Sequence, residues 1–293
     1  MNRVYLLALM CWVSFFAYAQ DDLMAELQDA QPEKTEYAIQ TFRGTRIING
    51  HSVETKGKGE LEFIFSHRFG PLNSGAYNFW GLDDAFVRLG IEYGITDWLG
   101  VGIGRSSTDK TFDGFVRYKV LRQSHGVTNI PFTLTAIGSG YIKTSPQAKF
   151  NPQVSIKDRM AYSLELLIGK KFSPNFSLQI SPVLVHRITV NPMFENNDDV
   201  ALGIGGKHNI TRSLAVTGEY FYRVNPHTNS TRSDAIGLGL EIETGGHVFQ
   251  LIFTNSLGLF TRSVVSETQG DFFDGDVHFG FNISRNFQLI HKK

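Results

Sequence analysis

Charged side chains recur at every second position in several segments of this 293-residue chain. Arg88 and Glu92 share one face of an extended segment, as do Arg117 and Lys119, because successive strand side chains point to opposite faces. Charges of both signs on one face can select ions in a pore, or they can pair and fill a closed interior. The candidate lining residues are Glu62, Arg88, Glu92, Arg117, Lys119, Glu165, Glu219 and Arg223.

Residue types that serve catalysis and metal binding are present, but their spacing does not form a site. The chain has nine histidines, and no spacing pairs one of them with a nucleophile and an orienting acid. Segment 267–276 carries several carboxylates without the order of an EF-hand loop, so we interpret it as a solvated loop. We therefore predict a non-enzymatic protein without a cofactor or a bound metal.

The elements that would position these charges are β-strands. In stretch 87–105, apolar residues occupy every second position on both sides of the break at 95–98, and glycines or charged residues lie between them. This alternation predicts a β-hairpin. The glycines recur with a period of two and no helical pattern follows, which argues against a dinucleotide-binding loop.

The break at 95–98 has counterparts further along the chain. Segments 172–176, 210–214 and 283–287 repeat its pattern at intervals that correspond to one hairpin per 38 residues or so. The other connections are mostly longer and rich in turn-forming residues. Short periplasmic turns and long extracellular loops are typical of outer-membrane barrels. The predicted strands are 58–68, 84–94, 98–105, 112–121, 131–142, 159–171, 175–187, 200–209, 213–224, 234–243, 247–256 and 275–290.

These strands predict an all-β fold, an antiparallel transmembrane β-barrel of about twelve strands, with ten or fourteen as alternatives. The apolar faces would contact lipid, and the glycines and charges would face the lumen. A secreted, soluble β-sandwich is an alternative, since its strands also alternate. Twelve strands lie between small filled barrels and open porins, so an open and a filled lumen are both compatible with the strand number. We expect Arg88, Arg117 and Lys119 to face carboxylates such as Glu62, Glu92, Glu165 and Glu219.

The N-terminus has the features of a secretory signal peptide over residues 1–19. A short basic region precedes an apolar stretch, and Ala17-Tyr18-Ala19 is a typical cleavage site. The single cysteine, Cys11, lies in this leader, so no disulfide is expected in the mature chain. Export and a barrel together predict the outer membrane of a Gram-negative cell as the location.

Residues 20–57 do not follow the rhythm of the barrel, which we assign to residues 58–293. Segment 22–30 is predicted to form a short amphipathic helix. Asn49-Gly50 is a strong hairpin signal, so a two-stranded ribbon is expected there. This segment has three possible positions: in the periplasm, as a plug in the lumen, or as two further strands of the barrel.

The stretch TFRGTRIINGHSVETKGKGELEFIFSHRFG (41–70) resembles the start of a family of membrane-bound β-barrel domains of unknown function from Gram-negative bacteria. The resemblance covers nearly all of the mature chain. It implies a barrel in the outer membrane, and it implies no substrate, reaction or catalytic residue. The chain departs from many outer-membrane barrels because it ends in His291-Lys292-Lys293 and not in an aromatic residue.

Two kinds of function fit these features. We favour a porin-like, non-enzymatic barrel that is either a small-solute channel or a structural or docking barrel. The alternative is an outer-membrane lipid-modifying enzyme. Expected partners are outer-membrane lipid and the barrel-insertion machinery, and a periplasmic protein is a further candidate. The balance of 28 basic and 28 acidic residues gives no indication of a nucleic-acid partner.

Overall fold

A computed structural model describes residues 34–145 and 155–290 of the chain. The predicted signal peptide and the predicted helix at 22–30 lie outside these residues. No helix within the described ranges is long and apolar enough to cross a membrane.

Twelve antiparallel strands form one closed barrel, in which the first and last strands pair with each other. The predicted fold class is therefore confirmed, and the β-sandwich alternative is wrong because the sheet has closed on itself. The predicted strand bounds differ from the observed ones by three residues or fewer. The strands are β1 (Glu60–Pro71), β2 (Ala85–Gly94), β3 (Leu99–Ser106), β4 (Thr111–Leu121), β5 (Thr133–Lys143), β6 (Met160–Lys171), β7 (Phe176–Arg187), β8 (Asp198–Asn209), β9 (Leu214–Arg223), β10 (Ala235–Thr244), β11 (His247–Thr254) and β12 (His278–Gln288).

The two ends of the barrel differ, as the sequence predicts. One end, the short-turn end, has the connections 95–98, 172–175, 210–213 and 245–246. The opposite, long-loop end includes the connections 72–84, 144–159, 188–197, 224–234 and 255–277. Two connections depart from this rule: 107–110 is short at the long-loop end, and 122–132 is long at the short-turn end, where Ser124–His125 pairs with Glu36–Tyr37. The break at 283–287 is no turn, because β12 runs through it.

The long loop 255–277 contains a helix that the sequence pattern did not predict. Helix α1 (Thr261–Glu267) is seven residues long, and all of its residues except the last are buried. At seven residues the helix spans only about two turns, and its buried residues include polar ones such as Thr261 and Ser263. It therefore lacks the apolar stripe that reveals an amphipathic helix.

Alternation along the strands separates the two surfaces of the barrel. On β7, residues alternate strictly between exposed and buried, with Leu178 and Ile180 outside and Gln179 and Ser181 inside. A shift by one residue would turn the whole strand inside out, which fixes its register. Aromatic side chains near the strand ends are exposed, as a membrane girdle requires: Trp98, Phe172, Phe176, Tyr220 and Tyr222.

Glycines on the inner face of β3 make room for larger neighbours. Gly102 lies opposite Phe115 on β4, and a Cβ at Gly102 would collide with the Phe115 ring. That ring makes an edge contact with His51, with 4.8 Å between the ring centroids. By contrast, a Cβ at the outward-facing Gly114 would have no heavy atom closer than 3.8 Å.

We predict that Gly102→Ala destabilises the barrel by about 1–3 kcal/mol, because Phe115 has no free space into which to move. Gly114→Ala, its matched control on the outer face, should change stability by less than about 0.5 kcal/mol. Urea titration of protein refolded into lipid vesicles measures both. Equal stability of the two variants would contradict the packing described above.

Candidate functional site

Residues 41–54 lie inside the barrel and form its plug. Their chain enters the lumen from the short-turn end, turns at Asn49-Gly50 and returns to the start of β1. Residues 41–53 are all buried. Arg46 and His51 form a bridge, and Ser52 N donates to Thr45 O at 2.9 Å. Residues 41–54 of the segment thus have the position of a plug, and Asn49 and Gly50 lie at its tip, where a single bridge stands in place of the expected two-stranded ribbon.

The tip of the plug is bound by one carboxylate of the barrel wall. Glu219 on β9 accepts hydrogen bonds from the backbone N–H groups of Ile48, Asn49 and Gly50, at 3.0–3.3 Å. Ile47 N closes the turn by donating to Gly50 O at 3.1 Å, and the Gly50 N–H is left to donate to Glu219. Charge-assisted bonds to backbone donors are stronger than neutral ones, so the wall holds the turn in place.

Amide side chains of the wall satisfy further backbone groups of the plug. Gln179 accepts from Val53 N at 2.8 Å and donates to His51 O at 2.7 Å. Gln250 donates to Ile47 O at 2.9 Å, and Asn282 donates to Ile48 O at 3.0 Å. An irregular segment such as the plug has no regular ladder of backbone hydrogen bonds. The amide side chains replace that ladder, so the buried backbone groups are paired and their desolvation is offset.

The strongest wall pair on the short-turn side of the tip involves Arg117 and Glu92. Arg117 Nε lies 2.9 Å from Glu92 Oε1, and both side chains are almost fully buried. The same guanidinium donates to the carbonyls of Ser52 and Glu54 and to His51 Nδ1 at 2.7 Å. Because arginine can only donate, His51 Nδ1 is an acceptor.

The partners expected for Arg88 and for Lys119 are wrong. Arg88 does not face Glu62, Glu92, Glu165 or Glu219; its guanidinium binds Asp113 through two bonds of 2.8 and 2.5 Å. Asp113 lies on β4 with the inward parity of Arg117, so the alternation could have revealed it.

Lys119 faces Glu54 of the plug at 3.9 Å, and Glu62 pairs with Lys56 at 3.1 Å. Thr45 of the plug also donates to Glu62, at 2.7 Å. Residues 54 and 56 lie outside the strands, so no strand pattern could show that they bring charges to the lumen.

The plug meets a second filling segment at Glu165. Residues 255–268, which include α1, enter from the long-loop end, and we name them the cap. Thr261 Oγ1 donates to Glu165 Oε1 at 2.8 Å, and the same oxygen lies 4.0 Å from His51 Nε2. Val264 and Val265 of the cap pack in an apolar cluster with wall residues such as Val185 and Phe221. Plug and cap thus close the lumen from opposite ends.

Glu267, at the end of the cap, is held by three basic residues. Lys143 Nζ and Arg262 Nη2 lie 2.9 and 2.8 Å from its carboxylate, and Arg232 donates to its carbonyl. Burial by itself raises the pKa of Glu267, but Arg262 and Lys143 outweigh it and lower the pKa to about 2. The carboxylate is therefore charged at neutral pH and ties the cap to β5.

All eight residues named as lining candidates are buried on the inner face of the barrel. The structure brings five of them into contact with the plug or the cap, namely Glu62, Arg117, Lys119, Glu165 and Glu219, and Glu92 pairs with Arg117. Arg223 lies apart from them at the long-loop end, where it donates to Arg232 O and faces Asp199 at 3.8 Å. The alternation of side chains along the strands predicts that these residues lie on the inner face, but it does not predict which residues they contact.

The described residues contain no cluster of three or more His, Asp or Glu side chains suited to a metal ion. His186 Nδ1 lies 2.8 Å from Asp198 Oδ1 on the outer surface. Within residues 34–145 and 155–290, no serine or threonine hydroxyl is hydrogen bonded to a histidine ring. The arrangement of buried charges is that of a filled lumen.

The chain matches the model of the membrane-bound β-barrel domain family DUF5777 over residues 42–287. It belongs to this family. The match begins within the plug, so the lumen-filling segment is part of the family domain. The family description names a membrane-bound barrel and no activity.

No curated protein matches the chain. Among solved structures, the barrel is similar to the KdgM porin, with 9% identity, a TM-score of 0.46 and coverage of 78% of this chain and 99% of that one. It is also similar to Omp33 of Acinetobacter baumannii, with 11% identity, a TM-score of 0.42 and coverage of 78% and 99%. The Ralstonia pickettii toluene transporter TbuX gives 10% identity, a TM-score of 0.40 and coverage of 80% and 90%.

We predict that Glu219→Gln loosens the plug tip, because a neutral amide accepts weaker bonds from Ile48, Asn49 and Gly50 than a carboxylate does. The change should raise amide hydrogen exchange at these positions about tenfold, which corresponds to about 1.4 kcal/mol. Glu195→Gln is the matched control, since Glu195 pairs with Arg187 and Arg232 at the long-loop end and not with the plug. Unchanged exchange at the tip in Glu219→Gln would show that its charge does not hold the plug.

We predict that the cap loosens in acid. Because the pKa of Glu267 is depressed to about 2, its contribution to stability is present above the unfolded pKa near 4.3 and is lost as the pH falls through the folded value. Protease sensitivity of the cap should therefore increase between about pH 4 and pH 2. Glu267→Gln should remove this dependence, and a wild-type cap that stays resistant at pH 2 would contradict it.

Proposed function

We propose that this protein is an exported outer-membrane barrel, closed at rest by its own chain, that has a structural or docking role and no enzymatic activity. Its short-turn end would face the periplasm and its long-loop end the exterior, as is usual for such barrels. Removal of residues 1–19, insertion by the barrel-insertion machinery and a lipid environment belong to this proposal. The proposal includes no nucleic-acid partner.

The observation that carries the proposal is the buried plug. Its contacts reach the wall on both flanks: Glu219 on β9, Asn282 on β12 and Arg117 on β4 each bind the plug backbone. A solute that crossed the lumen would have to break these bonds, which would leave Glu219 without donors and Arg117 with Glu92 alone. Leaving a buried charge without a partner costs about 3–5 kcal/mol, which supports a closed ground state.

A docking role is supported by the route of the chain before the plug. Residues 34–40 leave the lumen at the short-turn end, where Glu36 and Tyr37 pair with His125 and Ser124. Tyr37 also carries the Arg122 guanidinium over its ring at 4.9 Å. The barrel therefore anchors its N-terminal chain at the side on which a periplasmic partner would meet it.

The test is a reversible lock on the plug. A Cβ built on Gly169 would lie 3.3 Å from Val53 Cβ, close to the Cβ separation of a disulfide. We predict that Val53→Cys with Gly169→Cys forms a disulfide upon oxidation, detected by gel mobility after cleavage between the two sites. Val53→Cys with Gly138→Cys is the control, since Gly138 faces outward and should not react.

Planar-bilayer conductance of the full chain then distinguishes the functions. The closed barrel should give no ion current in the wild type, in the oxidised lock or in the reduced lock. Current in the wild type and the reduced lock but not in the oxidised lock would make the protein a channel with a mobile plug. Current in all three would show an open lumen, and either result would overturn the structural or docking role.

A further inference from the structure

Besides an apolar groove of about 490 Å³ across β7 to β10, the outer surface of the barrel has a second apolar groove. It has a volume of about 620 Å³ and crosses the lipid-facing sides of β1 to β6, and this volume lies within the range of roughly 300–1,000 Å³ typical of small-molecule sites. Its lining is almost entirely apolar, with side chains of Phe63, Leu89, Ile91, Ile103, Phe112, Ile142 and Met160.

The groove exists because two neighbouring strands lack side chains at its centre. Gly114 lies opposite Gly140 in the β4–β5 ladder, and these two are flanked by Ile103 on one side and Tyr162 on the other. A Cβ at either glycine would have no heavy atom closer than 3.8 Å. The packing of the barrel therefore does not require glycine here, in contrast to Gly102 on the inner face.

A positive charge lies at the long-loop end of this groove. Arg105 faces outward one residue before the end of β3, its guanidinium lies over the Phe112 ring at 5.6 Å, and its lateral neighbours are Leu89 and Phe112. Within the described residues no carboxylate lies within 4.0 Å of Arg105. Arginine facing lipid is destabilising at mid-depth and tolerated near the interface, where headgroup phosphates lie.

The surrounding loops add further positive charge at the same end. Lys110 and Lys157 are exposed there and have no ion pair among the described residues. Asp109 is engaged by Lys143 at 2.6 Å, and Asp158 accepts from Thr189 at 3.1 Å. The loops at this end therefore carry exposed basic groups in addition to Arg105.

We propose that this groove is a specific binding site for one phosphate-bearing, anionic lipid from the leaflet at the long-loop end. One acyl chain lies over Gly114 and Gly140 between Ile103 and Tyr162, and the phosphate binds the Arg105 guanidinium. The surface faces lipid in a membrane barrel, and the charge at its upper end selects the anionic headgroup. The site is independent of whether the lumen conducts.

Native mass spectrometry of the delipidated, full-length barrel tests the site. Dimyristoyl phosphatidylglycerol is the probe, and dimyristoyl phosphatidylcholine, with the same acyl chains, is the zwitterionic comparison. We predict one tightly retained phosphatidylglycerol per barrel. Arg105→Gln should weaken its retention about tenfold, the factor that corresponds to about 1.4 kcal/mol. Gly114→Leu, which fills the groove, should weaken retention of both lipids.

Arg285→Gln is the matched control. Arg285 is another exposed arginine that stacks on a phenylalanine, Phe287, at 4.9 Å, but it does not line the groove. Its replacement should leave retention unchanged, and the shift in gel mobility upon boiling verifies that every variant is folded. Equal effects of Arg105→Gln and Arg285→Gln, or equal retention of the two lipids, would overturn the proposal. The proposal would also be overturned if the barrel formed a dimer that retained no lipid and that Gly114→Leu dissociated, because the groove would then be an interface between two copies.

Discussion

At mid-depth, a charged side chain on the wall of a membrane barrel is strongly favoured on the lumen face, and on that face it needs a partner. Facing lipid at mid-depth costs about 2–4 kcal/mol for arginine or lysine. Facing the lumen without a partner is also destabilising, since an uncompensated buried charge costs about 3–5 kcal/mol. The pair of Arg117 and Glu92, 2.9 Å apart, satisfies both conditions. The contents of the lumen follow from the same requirement.

The plug completes what the wall leaves unpaired. Glu219 accepts hydrogen bonds from three backbone N–H groups of the plug. Among the described residues, no arginine or lysine of the wall lies within 4.0 Å of its carboxylate. Lys119 pairs with Glu54 of the plug, and Glu62 pairs with Lys56, two residues after the end of the plug. The wall and the plug therefore depend on each other, because removing either would leave buried charges in the other without a partner. A filled lumen is in this sense the electrostatic ground state of this barrel.

Glycine has opposite roles on the two surfaces. Inside, Gly102 is small because the Phe115 ring occupies the place of its side chain. Outside, Gly114 and Gly140 have free space above them, and the missing side chains leave a groove in the surface. The same residue type thus marks tight packing on one face and a surface depression on the other, and alternation along the strand tells which of the two applies.

The amino-acid sequence by itself determined the strands, their number and the face of each side chain. Alternation is a local property, and the difference between lipid and lumen is large enough that one register is strongly preferred. It therefore gave the inward positions of Arg88, Arg117 and Glu219 correctly.

Tertiary structure alone decided which groups meet. Glu219 and Gly50 are 169 residues apart, and Arg88 binds Asp113 and not one of the expected glutamates. Helix α1 has only seven residues, and polar ones are among those it buries, so no apolar stripe reveals it. The position of residues 41–54 depended on barrel closure, because only a closed wall surrounds the plug with enough donors and acceptors to satisfy an irregular backbone. Such contacts join distant parts of the chain, so no local pattern contains them.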